Sequence, residues 1–201
     1  MRLCSRAKRL AMSLAELVAG IALAALVLSL VYSIMHAGSS YLRRVQTALE
    51  LQQACMLAGD TVAHQVGESH AGSMRWCTTP QGLVLASPRD PSGLFSVAPN
   101  GDTQWCKLIC FYVETIADVP TLVRKEQALV GAPLATPPSI VPSQDSAYFL
   151  ALPIARHVVA RYITEVSGTT TSPCRVRVKA ARSERGKPYE IELETQVAPR
   201  N

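Results

Sequence analysis

An uncharged run from Leu17 to Met35, LVAGIALAALVLSLVYSIM, constrains this 201-residue chain more than any other feature. At about 1.5 Å rise per residue it reaches roughly 28 Å as a helix, close to the ~30 Å hydrocarbon thickness of a bilayer. It is long enough to cross once, and it accounts for an apolar content of 48%, more than a small soluble domain needs. The net charge of +5 has a similarly local origin, because Arg2, Arg6, Lys8 and Arg9 supply four of those charges ahead of the run. The rest of the chain is near neutral, which argues against a nucleic-acid partner. A basic flank before an apolar run is the positive-inside pattern, which keeps the N-terminus in the cytoplasm and sends the remainder across.

The boundary between flank and run reads RAKRLA/MSLAELVAGIAL, and its informative residue is Glu16. A carboxylate in a membrane helix costs ~2.5 to 3.5 kcal/mol on insertion scales, so such a residue is retained for a partner or a function. A position at the helix end, in the interface, would also admit it.

This register resembles the type IV prepilin family, whose signature is a basic leader, a small residue, an apolar residue, Ser or Thr, Leu, any residue, Glu and a long apolar helix. Ala11, Met12, Ser13, Leu14, Ala15, Glu16 and Leu17 match it. The family usually has Gly before the cut and most often Phe after it, where this chain has Ala11 and Met12. The resemblance implies cleavage between Ala11 and Met12 by prepilin peptidase and methylation of the new Met12 amine. It further implies that Glu16 pairs with the N-terminal ammonium of a neighbouring subunit during assembly, an attraction strengthened by low dielectric. Partners implied in the same way are other pilins or pseudopilins and an inner-membrane assembly platform.

Beyond Met35 the stretch SSYLRRVQTALELQQACMLAGDTVAHQV has no proline, and Leu42, Val45, Leu49, Met56, Ala63 and Val66 recur at mostly helical spacings. We read one long helix over 12–67, with 12–35 as its transmembrane part, after a leader at 1–11. A break near Ala37-Gly38-Ser39 is the alternative, since Gly followed by Ser is a kink site. From residue 68 to 201 turn formers multiply, including four prolines between Gly131 and Pro142. Between them GLVLAS, TQWCKLICFYVETI, TLVRKE and CRVRVKA read as strands, whereas YFLALPIARHVVARYI suits helix or strand, with Pro153 weakening a helix. The fold class is therefore α+β: a long helix packed on a small, mostly antiparallel head, pilin-like by resemblance. FYVETIADVPTLVRKE and EIELETQVAPRN resemble segments of the pseudopilin J group of type II secretion and of the related minor pilin W. That likeness implies a structural subunit at or near a filament tip that helps initiate assembly. The rival readings are an anchored periplasmic domain outside any filament, or a secreted enzyme or binding domain.

Cys4 lies in the leader, leaving Cys55, Cys77, Cys106, Cys110 and Cys174 on the translocated side, where disulfides persist. Their number is odd, so at least one thiol stays free or pairs between chains. On a strand Cys106 and Cys110 would stand about 13 Å apart, too far to bridge each other, so each needs Cys77, Cys174 or no partner. Cys55 suits a packed helix position or a subunit contact. His36, His64, His70 and His157 are scattered, with no spacing for nucleophilic catalysis or a metal, and no phosphate loop is present. The sequence thus points to no enzyme, no cofactor and no metal.

Residues 174–181 and 189–197 alternate and predict an antiparallel hairpin around Arg182 to Pro188. Setting Arg177 opposite Glu192 places Arg175 opposite Glu194 and Lys179 opposite Glu190. The other face then pairs Val176 with Leu193, Val178 with Ile191 and Ala180 with Tyr189, and by resemblance rests near Leu49, Met56 and Ala63 of the helix.

Overall fold

The computed structural model describes residues 14–184 and 186–200, so the proposed cleavage pair Ala11 and Met12 lies outside the described residues. Helix α1 (Leu14–Glu68) is followed by β1 (Met74–Thr78), β2 (Gln81–Ser87), β3 (Lys107–Ile116), β4 (Val119–Ala128) and α2 (Ser146–Ala151). Then come β5 (Arg156–Arg161), β6 (Ile163–Gly168), β7 (Cys174–Glu184) and β8 (Lys187–Val197). This is an α+β arrangement of one long helix followed by antiparallel sheets.

No break occurs near Gly38. The hydroxyls of Ser39 and Ser40 both donate to the His36 carbonyl, at 2.9 and 2.7 Å, so these side chains are satisfied by the helix itself. Two compact units divide the chain, 1–46 and 47–201. In the first, Leu17, Ile21, Leu28 and Ile34 are exposed, and the most apolar window of α1 has a mean hydropathy of 2.5 with none of it buried.

In the second unit α1 buries Thr47, Leu51, Cys55, Ala58, Gly59, Val62, Gln65 and Val66, a stripe at helical spacing. This corrects the face predicted from sequence. Leu49 and Met56 are exposed and Ala63 is only half-buried. Small residues decide the outcome: a Cβ on Gly59 would come within 2.9 Å of the Leu193 side chain, so the sheet approaches more closely than Leu49 or Met56 would allow.

Strands β1 to β5 form one sheet in sequence order, and β6-β7-β8 form a second. The middle strands of the first sheet are buried on both faces, which is why GLVLAS and KLICFY read as nearly continuous apolar runs. Leu83, Leu85, Ile109, Phe111 and Leu122 join the core shared with α1 and with Val176, Val178 and Ala180 of β7. On the opposite face Val84, Leu108, Cys110, Tyr112 and Val123 meet Phe149 of α2, with Leu134 and Ile140 of the proline-rich loop packed against them. The ambiguous stretch proves to be both element types. Asp145 caps α2 by accepting from the Tyr148 amide at 2.9 Å, the helix stops at Leu152, whose extended backbone suits the residue before a proline, and β5 follows.

The β7–β8 hairpin forms with a register two residues away from the predicted one: Arg177 lies opposite Glu194, Val178 opposite Leu193 and Ala180 opposite Ile191. Its turn is shorter than expected, closing at Glu184 and Lys187 with Gly186 at φ 76°. Glycine adopts that conformation without steric cost, and placing it in the turn sets the pairing for the whole ladder. A shift of two preserves both faces, since side chains alternate with period two. The predicted ion pairs accordingly persist as diagonals: Arg177–Glu192 at 3.1 Å, Arg175–Glu194 at 3.9 Å and Lys179–Glu190 at 2.5 Å.

Candidate functional site

Glu16 stands in the first described turn of α1, immediately before the apolar surface that Leu17, Val18 and Ile21 expose. The helix that carries it is long and apolar enough to cross a membrane.

Cys55, Cys77, Cys106, Cys110 and Cys174 are all free thiols. Cys55 is a packed helix residue, with its Sγ 3.5 Å from the Ile191 carbonyl and 3.9 Å from that of Val178, on the hairpin. Cys77 belongs to β1 and Cys110 to β3, with β2 between them. Two interstrand steps put ~9.5 Å between such positions, beyond the reach of a disulfide. Cys174 packs in the α1 core and Cys110 in the other core. Burial pushes the thiols of Cys55, Cys110 and Cys174 upward in pKa, so they stay protonated and unreactive. Among the described residues no group of three or more His, Cys, Asp or Glu side chains is arranged to hold a metal ion.

The head has a polar cleft of about 520 Å³ that the sequence did not announce, lined among others by Gln65, Arg89, Lys107, Arg124, Glu126 and His157. Its cations are held by carboxylates. Arg89 donates through two nitrogens to Glu68, with Nε 2.8 Å from Oε2, and through a third to the Gly93 carbonyl at 2.7 Å. That guanidinium, ahead of the desolvation that opposes it, lowers the Glu68 pKa. Lys107 Nζ lies 2.6 Å from one oxygen of Glu126, and Arg124 pairs with the other. Arg124 also stacks its guanidinium 5.9 Å from the centre of the Phe111 ring.

No family model, curated protein or solved structure matches this chain. Its chemistry therefore rests on its own residues. The free thiols are buried or lack an adjoining base, and the histidines are dispersed: His64 faces Glu68 at 3.5 Å, His70 accepts from the Gly72 amide, and His157 lies on β5. Two features invite function, the apolar helix with Glu16 near its described start and the cationic cleft. The first was legible as a linear motif. The second draws residues from α1, β3, β4, β5 and the loop after β2, and no spacing in the sequence signals that convergence.

Proposed function

We propose that this protein is a minor pilin or pseudopilin, a non-enzymatic structural subunit that is anchored by α1 and joins the tip region of a type IV pilus or type II secretion pseudopilus. The observation that carries the reading is the double use of α1. One uninterrupted helix is membrane-compatible over its first part and core-forming over its last, where Leu51, Cys55, Ala58, Val62 and Val66 are buried. A cleavable signal or a simple tether would not need its continuation to build the core of the domain that follows.

In this reading prepilin peptidase cuts between Ala11 and Met12, the Met12 amine is methylated, and Glu16 pairs with the N-terminal ammonium of a neighbouring subunit. The head then lies on the far side of the inner membrane, and the partners are other pilins or pseudopilins and the assembly platform. No nucleic acid or cofactor is required.

Intact mass and N-terminal sequencing of the protein purified from membranes test the processing step. The expected product starts at Met12 with a methylated amine, whereas a start near Ser39 would overturn the proposal by removing the anchor. Glu16→Ala is expected to leave the protein inserted in the membrane and abolish its co-purification with other filament subunits; undiminished co-purification would refute the assembly role.

A further inference from the structure

Strand β8 ends its sheet, with β7 on one side and no strand on the other. Which of its backbone groups face outward follows from β7. There the Ala181 amide donates to the Tyr162 carbonyl and the Arg175 carbonyl accepts from the Thr169 amide, partners that flank β6. Alternation along an antiparallel ladder therefore turns the backbone groups of Val176, Val178 and Ala180 toward β8, where they meet Thr195, Leu193 and Ile191. The N–H and C=O groups of Glu190, Glu192, Glu194 and Gln196 then project from the free edge, and no described residue bonds them.

Proteins blunt such edges by keeping them short or bulged. The other edge strands follow that rule: β1 has 5 residues, β5 and β6 have 6 each, and the ladders of β5 and β6 shift register. Strand β8 has 11 residues in an unbroken register, with its proline, Pro188, beside the turn. Its inner face is also incompletely covered. Val176, Val178 and Ala180 of β7 are at most 1% exposed, whereas Tyr189, Ile191, Leu193 and Val197, packed against the same core, are only half-buried. A further strand beside β8 would finish that cover.

Backbone geometry names the class of occupant, since only extended main chain meets N–H and C=O groups repeating at strand spacing. Side chains narrow it. Pairing β8 with the β8 of a second copy would set one glutamate row against another, and like charges directly opposite destabilise a sheet. Glu190 and Glu192 hold Lys179 and Arg177 through Oε1, and a carboxylate has a second oxygen that accepts from a further cation. We propose that the β8 edge takes up an extended segment of a partner protein as an added strand, apolar side chains continuing the Ile191 and Leu193 face and Lys or Arg beside the glutamate row. The proposal does not depend on the filament reading, because every residue it uses belongs to the head.

The test is calorimetric titration of the full-length protein in detergent with acetyl-Lys-Val-Thr-Val-Lys-Val-amide. Its controls are the counterpart with Glu for Lys and a form N-methylated at two consecutive central residues, which blocks either edge of the peptide. The lysyl peptide is expected to bind saturably, at least fivefold more tightly than the glutamyl and tenfold more tightly than the methylated one. It should slow hydrogen exchange at the amides of Glu190, Glu192 and Glu194 at least tenfold. Glu192→Pro removes an outward N–H and no bond of the β7–β8 ladder, so it is expected to weaken binding at least tenfold, against less than threefold for Glu192→Ala. Should Glu192→Pro fail to fold, the methylated peptide decides. Absence of saturable binding, equal binding of any two of these peptides, or binding that a folded Glu192→Pro leaves unchanged would each overturn the proposal. So would self-association of the protein in sedimentation that Glu192→Pro abolishes, because the edge would then serve a second copy.

Discussion

Lys125 Nζ lies 2.8 Å from the carbonyl oxygen of Phe149, and it also donates to the carbonyls of Leu150 and Leu152 at 3.1 and 3.0 Å. The side chain is buried at 6% exposure. One ammonium thus gathers the C-terminal carbonyls of α2, of which only that of Phe149 also has a backbone donor, the Leu152 amide, and fixes that helix over the outer face of the first sheet.

Lys125→Met keeps the aliphatic stem but removes the ammonium from the Leu150 and Leu152 carbonyls, leaving that of Phe149 with the Leu152 amide at 3.3 Å, and hydrogen bonds to a charged group contribute about 1.5 to 3 kcal/mol. The expected loss is about 3 kcal/mol, which for a chain of this size lowers Tm by roughly 6 to 12 °C in a thermal melt. Lys125→Arg is not expected to rescue it, because a planar guanidinium does not reproduce the compact ammonium among these carbonyls.

Three glycines should differ sharply on substitution by alanine. At Gly82 a Cβ would come within 2.2 Å of the Phe111 carbonyl oxygen, and at Gly168 within 2.1 Å of that of Arg175, so in both cases backbone must move. At Gly59 the obstacle is the tip of the Leu193 side chain at 2.9 Å, and alanine is a better helix former by about 1 kcal/mol. Thermal melts are expected to show strong destabilisation for Gly82→Ala and Gly168→Ala and little change for Gly59→Ala.

The β3–β4 hairpin turns through Ala117 and Asp118, at φ 49° and 62°, with Ile116 opposite Val119. Two positive φ values define the tight turn that glycine and asparagine serve best. Asp118 is exposed, so Asp118→Gly removes steric strain without opening a cavity. A gain on the order of 0.5 to 1 kcal/mol is expected, seen as a Tm higher by about 1 to 4 °C.

Glu68 has its carboxyl pKa lowered below 4.5, first by the hydrogen bond from Arg89. Its ionised form is favoured more in the folded than in the unfolded chain, so its stabilising contribution is fully present above the unfolded value and is lost as pH falls through the folded one. Denaturation from pH 7 down to pH 3 should show a loss of stability below about pH 4.5, the usual value for an unfolded glutamate. Glu68→Gln should flatten that part of the profile; an unchanged acid limb would show that the pair contributes nothing there.

How much was legible follows the reach of each signal. The hairpin's two faces were readable because the alternation of Arg175, Arg177 and Lys179 with Val176, Val178 and Ala180 is local. Its register was not, since a shift of two conserves both faces and only the turn at Gly186 distinguishes the options. The YFLALPIARHVVARYI stretch hid the boundary between α2 and β5 because apolar residues serve a buried helix and a strand equally well. The helix face was misplaced for a related reason: apolar periodicity favoured Leu49 and Met56, whereas close packing selected Cys55, Ala58 and Gly59.

By itself the sequence determined a long proline-free helix whose first part suits lipid, a carboxylate at Glu16 just ahead of an uncharged apolar run, and a strand-rich head, because each depends on neighbours along the chain. Tertiary structure alone decided that α1 builds the core with the stripe through Leu51, Cys55, Ala58, Val62 and Val66, that Lys125 holds the end of α2, and that Gln65, Arg89, Lys107, Arg124 and Glu126 meet in one cleft. Those outcomes depend on which strands lie beside one another and how closely they approach. Side-chain volume and hydrogen-bond satisfaction between distant segments set both, and neither is written in local spacing.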